Sequence, residues 1–377
     1  MRERRTEAIV RTAHSTRLNV RVFRHSRFEY HIKLADKTYR LPINRYMVHV
    51  PDAYYAPVYR FVLDRSTKSV IASDMFLEHT NSALEGFGDT VERFPDGRIL
   101  IDFSTDDNKI NGPVICVSPW GAFSNLIMHV LMGIVHCDDL LGIQYPILVP
   151  DDLPVWQRRC LALIGIDEDR MIRVPRYSAT HVTEAYVPSK SFTQSCYFGA
   201  DLIDHGFFFE PNDLKSYSRR VIENLVNLAP EDDDGHRPAR VLYIARKDAG
   251  SRFTTNEAEA VEALRLLGVR YVLPTELPIA TMARAIHQAD VVISAHGSAI
   301  LNMPAARPGT TLIEIDHPGQ DWCGRRICQI LGYRHVICTR YRGSRVSRNR
   351  TNNPVNIPEL LSLIKEALSR SVRQTTP

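Results

Sequence analysis

The chain has 377 residues and a net charge of +4, and 44% of its residues are hydrophobic and 24% charged. This is the composition of an ordinary globular protein, long enough for two domains. The mild charge does not call for bulk binding of nucleic acid, and no apolar run approaches the ~20 residues that a membrane span needs. Seven scattered cysteines without a Cys-x-x-Cys pair, and no visible signal peptide, predict a cytoplasmic protein with reduced thiols, not a disulfide framework or a zinc site.

Arginine is concentrated in two segments. Residues 1–27 hold eight arginines against two glutamates, and residues 334–350 hold six arginines and no acid. Each segment is either a solvated surface or a contact with anionic groups, such as lipid headgroups or a phosphorylated acceptor. A peripheral contact with the inner face of a membrane is therefore one expectation. The sequence does not specify the oligomeric state.

Residues 1–111 predict a small, mainly β N-terminal extension. Short runs of strand-forming residues alternate there with turn residues. The predicted strands are Tyr30–Leu34, Thr38–Leu41, Tyr46–Val50, Val58–Leu63 and Val70–Ala72.

Residues 112–230 predict a first Rossmann-like domain, which we assign to the acceptor. Strands alternate with helices, and such alternation favours a parallel sheet. The predicted elements are Pro113–Val117, Ala122–Val135, Tyr145–Val149, Leu153–Leu163 and Met171–Val174, followed by an irregular aromatic stretch, 176–210, and a helix, Asn212–Leu228.

One helix of this domain carries a candidate catalytic base. Asn125, His129 and His136 share a stripe at helical spacing, away from the apolar side, on a helix that begins at the carboxyl end of a strand. His129 is either a structural residue or a side chain that faces the ligand. The run His136–Asp139 does not predict a metal site, because four adjacent helical residues point in different directions.

Residues 231–377 predict a second Rossmann-like domain, and the acidic loop 229–235 is the predicted linker at its boundary. Asp232–Asp234 precede a strand in this loop, which favours a solvated loop over a metal site. The final amphipathic helix, Ile357–Arg370, packs either on this domain or across onto the first. The predicted strands are Val241–Ala245, Tyr271–Pro274, Val291–Ser294 and Thr311–Ile315.

Polar residues collect at the carboxyl ends of these four strands. Arg246 follows the first strand, Glu276 the second and His296 with Gly297 the third, while Glu314 closes the fourth. Parallel sheets bind their ligands at this edge. The sequence therefore predicts a binding site there.

The segment Ser294–Asn302 predicts an anion site. Gly297 allows a sharp turn and a helix begins at about Ser298, so free N–H groups and the positive end of the helix face the crevice. The alternative is a ligand-free turn in which Ser298 caps its own helix. The sequence around Ser298 fails the G-x-S-x-G pattern of serine hydrolases, and the absence of a Walker A sequence disfavours an ATPase.

The same domain resembles glycosyltransferase family 61. The resemblance rests on two arginines after the first strand, an Asn-Glu pair, an acid after the second strand, a His-Gly turn followed by Asn, and an acid in the closing strand. The matching residues are Arg246, Arg252, Asn256, Glu257, Glu276, His296, Gly297, Asn302 and Glu314. The chain departs from the family at Thr275, Met282 and Ser298.

The resemblance implies an inverting, metal-independent α/β enzyme of the GT-B type, with two Rossmann-like domains facing across a cleft. It implies a nucleotide-sugar donor, which we expect to be a UDP-sugar. The expected acceptor is a glycan or lipid-linked glycan in surface polysaccharide synthesis. No metal, cofactor or nucleic acid is expected.

The resemblance leaves two alignments open for the first domain. Placing His129 on a histidine of the family puts Gly133 on the family's acidic position. The other alignment puts Asn125 on the family's histidine and His129 on its acid.

An inverting transfer needs a base for the acceptor hydroxyl and a means of stabilising the departing diphosphate. His129 is the first candidate for the base and His296 the second, with a bond to a phosphate oxygen as the alternative for His296. Arg246, Arg252 and the turn Gly297–Ser298 are expected to hold the diphosphate, because a guanidinium donates two parallel hydrogen bonds.

Further donor contacts are expected from Glu276, Asn302 and Glu314. Glu314 accepts from ribose hydroxyls or pairs with an arginine, and Glu276 binds the donor or caps the next helix. Two other functions remain open. A nucleotide-sugar epimerase would need no acceptor, and a non-catalytic nucleotide-sugar-binding protein would lack the base.

Overall fold

The structure is a computed structural model that describes residues 5–12, 21–34, 37–57, 61–66, 69–72, 91–93, 98–102, 104–117, 123–189, 192–198, 201–228, 239–247, 254–315, 323–339 and 354–374. The chain divides into two units. The first comprises Met1–Ala162 and Ile166–Phe192, and the second Leu163–Gly165 and Thr193–Pro377.

Within the described residues, the first unit contains an eleven-stranded mixed sheet. The strand order is β10-β9-β8-β11-β3-β4-β5-β1-β7-β6, with β2 paired to β3. The strands are β1 (Arg5–Thr12), β2 (Arg21–Leu34), β3 (Lys37–Ala56), β4 (Phe61–Asp64), β5 (Ser69–Ala72), β6 (Val91–Arg93), β7 (Arg98–Asp102), β8 (Ser104–Cys116), β9 (Ile147–Pro150), β10 (Met171–Val174) and β11 (Ser178–Pro188).

This sheet joins two regions that the sequence assigns to separate domains. β3 spans two predicted strands and continues to Ala56, and it pairs with β11, which lies in the stretch expected to be irregular. β11 also runs parallel to β8, whose end matches the predicted strand Pro113–Val117. Val50, Val114 and Val182 share one hydrophobic core, so the N-terminal strands and the first α/β segment form one folding unit.

The helices of the first unit include a π-helical segment. Its helices are Phe123–Asn125 and Met132–Leu141, joined by the π-helix Leu126–Leu131, then Val155–Ala162 and a 3-10 turn at Glu168–Arg170. A π-helix has a wider turn than an α-helix, so the spacing of 3.6 residues that predicts a stripe of Asn125, His129 and His136 does not apply through this segment.

His129 and His136 are both buried, as is every residue from Leu126 to Asp138, so burial does not separate a polar side of this helix from an apolar one. The Nε2 atom of His136 lies 3.1 Å from the backbone oxygen of Tyr46. Asp138 forms a buried two-pronged ion pair with Arg170, whose Nη1 lies 3.0 Å from Asp138 Oδ2. These side chains therefore connect their helix to the rest of the first unit.

The second unit contains a five-stranded parallel sheet, which confirms the α/β class. Its order is β15-β14-β16-β17-β18. The strands are β14 (Val241–Ile244), β15 (Arg270–Val272), β16 (Val291–Ala295), β17 (Thr311–Ile315) and β18 (Arg334–Cys338), and a separate two-stranded sheet pairs β12 (Phe192–Phe198) with β13 (Asp201–Phe209). The helices are Pro211–Leu225, Glu257–Arg265, Ile279–Gln288, the 3-10 helix Ser298–Ala305, Cys323–Leu331 and Ile357–Gln374.

The strand order places a topological switch point between β14 and β16. The chain leaves β14 towards β15 on one side and returns to β16 on the other. Open parallel sheets bind ligands in the crevice outside the carboxyl ends of the two strands at such a point. Arg246 and His296 follow these two strands, so the fold brings both to that crevice.

The final helix, Ile357–Gln374, packs on its own sheet. Leu360 and Ile364 share a hydrophobic core with Val291, Ile313 and the helix Glu257–Arg265. Of the two expectations for this helix, packing on the second domain is therefore observed. No helix in the described ranges has the length and apolar character needed to cross a membrane.

Candidate active site

The guanidinium of Arg246 lies on the turn that follows β16. Its Nη1 is 3.3 Å from the backbone oxygen of His296 and donates a hydrogen bond to it. Gly297 adopts φ 151°, which side chains rarely tolerate, and a Cβ there would lie 1.6 Å from the same Nη1. Glycine is therefore required here both for the turn and for the close approach of the arginine.

Glu257 supports the backbone that carries Arg246. Its buried carboxylate accepts a hydrogen bond of 3.1 Å from the Tyr243 hydroxyl and a long one of 3.5 Å from the backbone N–H of Arg246. Burial raises the pKa of Tyr243, and the charge of Glu257 raises it further, so the phenol remains a donor. Glu257, at the start of its helix, thus holds the backbone that follows β14 through these hydrogen bonds.

The helix after Gly297 begins at Ser298 as predicted, but it is a 3-10 helix with Pro304 inside it. Ser298 is exposed, and the turn has no side-chain cap. The amide of Asn302 donates to the backbone oxygen of Ala299 at 3.0 Å, within the same helix. These contacts make Asn302 part of the helix's own bonding, whereas Ser298 lies at its exposed start.

Three side chains from three parts of the second unit bind the carboxyl end of this 3-10 helix. Ser218 donates to the oxygen of Pro304 at 2.6 Å, and Tyr333 donates to that of Ala306 at 2.7 Å. The Nδ1 atom of His287 lies 3.0 Å from the oxygen of Ala305, which requires that nitrogen to be the protonated one. These hydrogen bonds hold the helix at its carboxyl end. Because the helix is short, they also restrict the position of the Gly297 turn at its other end.

Tyr333→Phe is expected to destabilise the protein by about 1–2 kcal/mol, because it leaves a buried carbonyl without its donor. Burial raises the pKa of Tyr333 to about 12, so the lost group is a neutral hydroxyl. Urea unfolding followed by fluorescence measures the change. Tyr177→Phe, at a position with 73% exposure, is the matched control and should stay within about 0.5 kcal/mol of the parent. Equal stability of both variants would contradict an anchoring role for Tyr333.

Glu314 lies between two histidines. Its Oε1 is 2.6 Å from His296 Nδ1, and its Oε2 is 2.6 Å from His335 Nε2. The side chain of Glu314 is 1% exposed. The protein partner expected for Glu314 was an arginine, and the structure gives two imidazoles. A contact with a ribose hydroxyl stays a prediction.

The sheet explains this arrangement. Glu314 pairs in register with Ser294, and His335 pairs with Leu312. Residues two apart on a strand share a face, so Glu314 and His335 are diagonal neighbours on one face. Sequence reasoning missed His335, which the pairing of β18 with β17 places beside Glu314.

The pKa of Glu314 lies below its ordinary value of 4.5. Burial alone would raise this pKa, but the hydrogen bonds from His296 and His335, together with their charges, lower it more strongly. A carboxyl group with a lowered pKa adds stability that is present above the unfolded-state pKa and is lost as the pH falls through the folded-state pKa.

Glu314→Gln is expected to be less stable than the parent at neutral pH, because an amide accepts on one side only. The difference in free energy of unfolding should narrow as the pH falls below 4.5, where the parent carboxylate takes up a proton. Urea unfolding from about pH 7 to about pH 3 measures it. The exposed Glu259, replaced by Gln, is the control, and a Glu314 difference that stays constant with pH would contradict the ionised pair.

Glu276 and Asn256, which also match residues of the family, make other contacts. Glu276 is exposed, and its backbone N–H donates to the oxygen of Leu273. The helix after it begins behind Pro278 without a side-chain cap, so Glu276 does not cap it. Asn256 bonds both backbone groups of Val355, at 2.8 and 3.1 Å, and so holds the segment before the final helix. Arg252 lies outside the described residues, as do Asp232–Asp234.

His129 belongs to the first unit and lies in its π-helical segment. It is 3% exposed, and its ring meets the ring of Phe192 edge to face with centroids 4.7 Å apart. A Cβ at Gly133 would lie 3.1 Å from Pro188 Cγ, so an acidic side chain there would require Pro188 to move. His129 thus has an aromatic neighbour, whereas His296 has a carboxylate partner.

The fold and the site define an α/β protein with an arginine and a glycine turn at the switch point of a parallel sheet. A family model described as Glycosyltransferase 61 matches residues 123–313, just over half of the chain. The chain therefore belongs to glycosyltransferase family 61, which confirms the resemblance. No curated protein matches it.

The chain is accordingly a glycosyltransferase, with a sugar donor and a glycan acceptor. Family membership favours this activity over the epimerase and the non-catalytic binding protein. The matched region includes His129, Arg246 and His296, and it ends one residue before Glu314.

Proposed function

We propose that the enzyme transfers a sugar, with inversion and without a metal, from a nucleotide sugar to a glycan acceptor. The donor is a UDP-sugar, bound by the second unit, and the organisation is the GT-B type that the resemblance implies. The acceptor is a glycan or lipid-linked glycan of a surface polysaccharide. The enzyme acts in the cytoplasm, with a peripheral contact at the inner face of the membrane.

The observation that supports this proposal is the contact of the Arg246 guanidinium with the turn at Gly297. The guanidinium is held within 3.3 Å of the turn's backbone at the switch point of a parallel sheet. A diphosphate in this crevice would meet a fixed positive charge and the backbone N–H groups of the turn. Such groups stabilise negative charge on a leaving group without reorganising during the reaction.

The ionised Glu314 supports His296 as the general base that accepts the proton of the acceptor hydroxyl. A carboxylate accepts hydrogen bonds only, so the Nδ1 of His296 that faces it carries a proton. In the neutral ring the lone pair is then on Nε2, which is the state a general base needs. A protonated His296 would instead donate to a phosphate oxygen. His129 remains the other candidate for the base, supported by the resemblance.

A donor panel tests the proposed function. UDP-, GDP- and CMP-sugars are incubated with the full chain and a set of glycan acceptors, with EDTA or with Mn²⁺. We expect a UDP-sugar to be consumed in EDTA, and proton NMR of the product to show the anomeric configuration opposite to that of the donor. Retention of configuration, or activity that EDTA removes and Mn²⁺ restores, would contradict the mechanism.

A further inference from the structure

His335 contacts the candidate active site indirectly, through Glu314. Its Nε2 lies 2.6 Å from Glu314 Oε2, while the other oxygen of the same carboxylate contacts His296. The side chains of His296 and His335 are 5% and 10% exposed, so all three groups interact in a largely dry environment. Hydrogen bonds to a charged group are strong there, and an unbonded charged oxygen is costly.

The two hydrogen bonds restrain the carboxylate from both sides. Without a donor from His335, Oε2 of Glu314 would be a buried anionic oxygen that must find another donor or take up a proton. A protonated Glu314 can donate to Nδ1 of His296, which moves the proton of that ring to Nε2. The bond from His335 therefore decides which nitrogen of His296 is available to a substrate.

We propose that His335 is a positioning residue for catalysis, which acts through Glu314 to hold His296 with its proton on Nδ1. This inference rests on the proposed function, because it requires His296 to act on the substrate. It assigns Glu314 to the orientation of His296 and not to the ribose of the donor. His335 itself touches neither donor nor acceptor.

The helix Cys323–Leu331 leaves room for the carboxylate of Glu314, because Gly324 has no side chain. A Cβ at Gly324 would lie 2.5 Å from Glu314 Oε2 and 3.2 Å from Leu312 Cδ2, so a side chain there would displace the carboxylate. On the same helix, burial raises the pKa of Cys328, and the charge of Glu314 raises it further. Cys328 is thus a neutral thiol.

Together with Cys328, the titratable groups that face Glu314 are His296 and His335. Each imidazole contacts a different oxygen of the carboxylate. The neighbouring cation, Arg246, donates to the backbone oxygen of His296. Within the described residues, each oxygen of Glu314 therefore has one imidazole as its hydrogen-bond partner.

The test compares His335→Gln with His335→Leu in the full chain. The amide nitrogen of glutamine can donate to Glu314 as Nε2 of histidine does, whereas leucine cannot. We expect His335→Leu to lower kcat by roughly tenfold to a hundredfold, the range typical of residues that orient a reacting group through one partner. KM should change little. As the pH is lowered, His335→Leu should lose its activity at a higher pH than the parent does. His335→Gln should recover most of kcat.

Nitrogen NMR of the imidazoles gives a readout that does not depend on activity. In the parent and in His335→Gln, His296 should be protonated at Nδ1 when neutral, and this preference should be lost in His335→Leu. An unchanged tautomer and kcat in His335→Leu would overturn the inference. So would a folded His335→Gln with no more activity than His335→Leu.

Failure of the proposed function can be distinguished from failure of the positioning role of His335. If the parent neither binds UDP nor consumes a UDP-sugar, the transferase proposal is wrong for this donor, and the tautomer of His296 still reports whether His335 controls that ring. If the parent is active and the tautomer is insensitive to His335, the positioning role is wrong and the transferase proposal stands.

Discussion

Arg246→Ala is expected to lower kcat by about 10²–10³-fold, the loss that follows removal of one preorganised donor from a developing negative charge. The guanidinium rests on the Gly297 turn, where it donates to the oxygen of His296 over 3.3 Å. Arg246 is half-buried and does not belong to the hydrophobic core of the second unit, so the variant should fold. Release of UDP from a UDP-sugar, with and without acceptor, measures the effect, and circular dichroism checks the fold.

Arg240 provides the matched control, because it lies at the opposite end of β14. It is 55% exposed and pairs with Asp290, which Arg307 also contacts. Arg240→Ala should therefore leave turnover close to that of the parent. Gly297→Ala should behave like Arg246→Ala, since its Cβ would occupy the place of the guanidinium. Unchanged turnover in Arg246→Ala would remove this arginine from the site.

Replacing His296 by alanine is expected to lower kcat by ~10²–10⁴-fold, the usual contribution of a positioned general acid or base. The expectation rests on the carboxylate partner of His296, which orients the ring and fixes its proton. His129→Ala removes a ring packed edge to face on Phe192 and should destabilise the first unit more than it changes kcat.

The two histidine variants are compared at matched folded fractions, because a loss of stability alone would lower apparent activity. Urea unfolding gives those fractions, and the pH dependence of kcat gives the role of each ring. A large kcat loss in His129→Ala together with a normal kcat in His296→Ala would assign the base to the first unit. It would also reduce Glu314 and its two histidines to a structural cluster.

The parallel sheet of the second unit could be predicted from the sequence. Strands buried on both faces are continuous apolar runs, and here polar residues come within a few residues of the ends of β14, β15 and β16. The predicted strand Thr311–Ile315 is observed with the same ends, and Val291–Ser294 is longer by one residue. Because parallel strands bring their carboxyl ends to one edge, Arg246, His296 and Glu314 could be grouped before any coordinates were known.

The partners within that group could not be predicted, because they depend on register and on the shape of neighbouring elements. Glu314 meets His335 because β17 and β18 pair with Leu312 opposite His335, and because Gly324 leaves room for the carboxylate. The π-helical segment Leu126–Leu131, where the spacing of 3.6 residues does not apply, could not be read from the apolar pattern either. The length of β3, which joins the N-terminal strands to the first α/β segment, is likewise set by its pairing with β11.

Calorimetric titration of the enzyme with UDP in the presence of EDTA tests the central claim most directly, which is that a metal-free crevice at Arg246 and Gly297 binds a diphosphate. The account predicts saturable binding to the parent and to Arg240→Ala. Binding to Arg246→Ala should be weaker by at least about tenfold, because hydrogen bonds to charged groups contribute roughly 1.5–3 kcal/mol. Binding that requires Mn²⁺, or that is equally tight in Arg246→Ala, would contradict it.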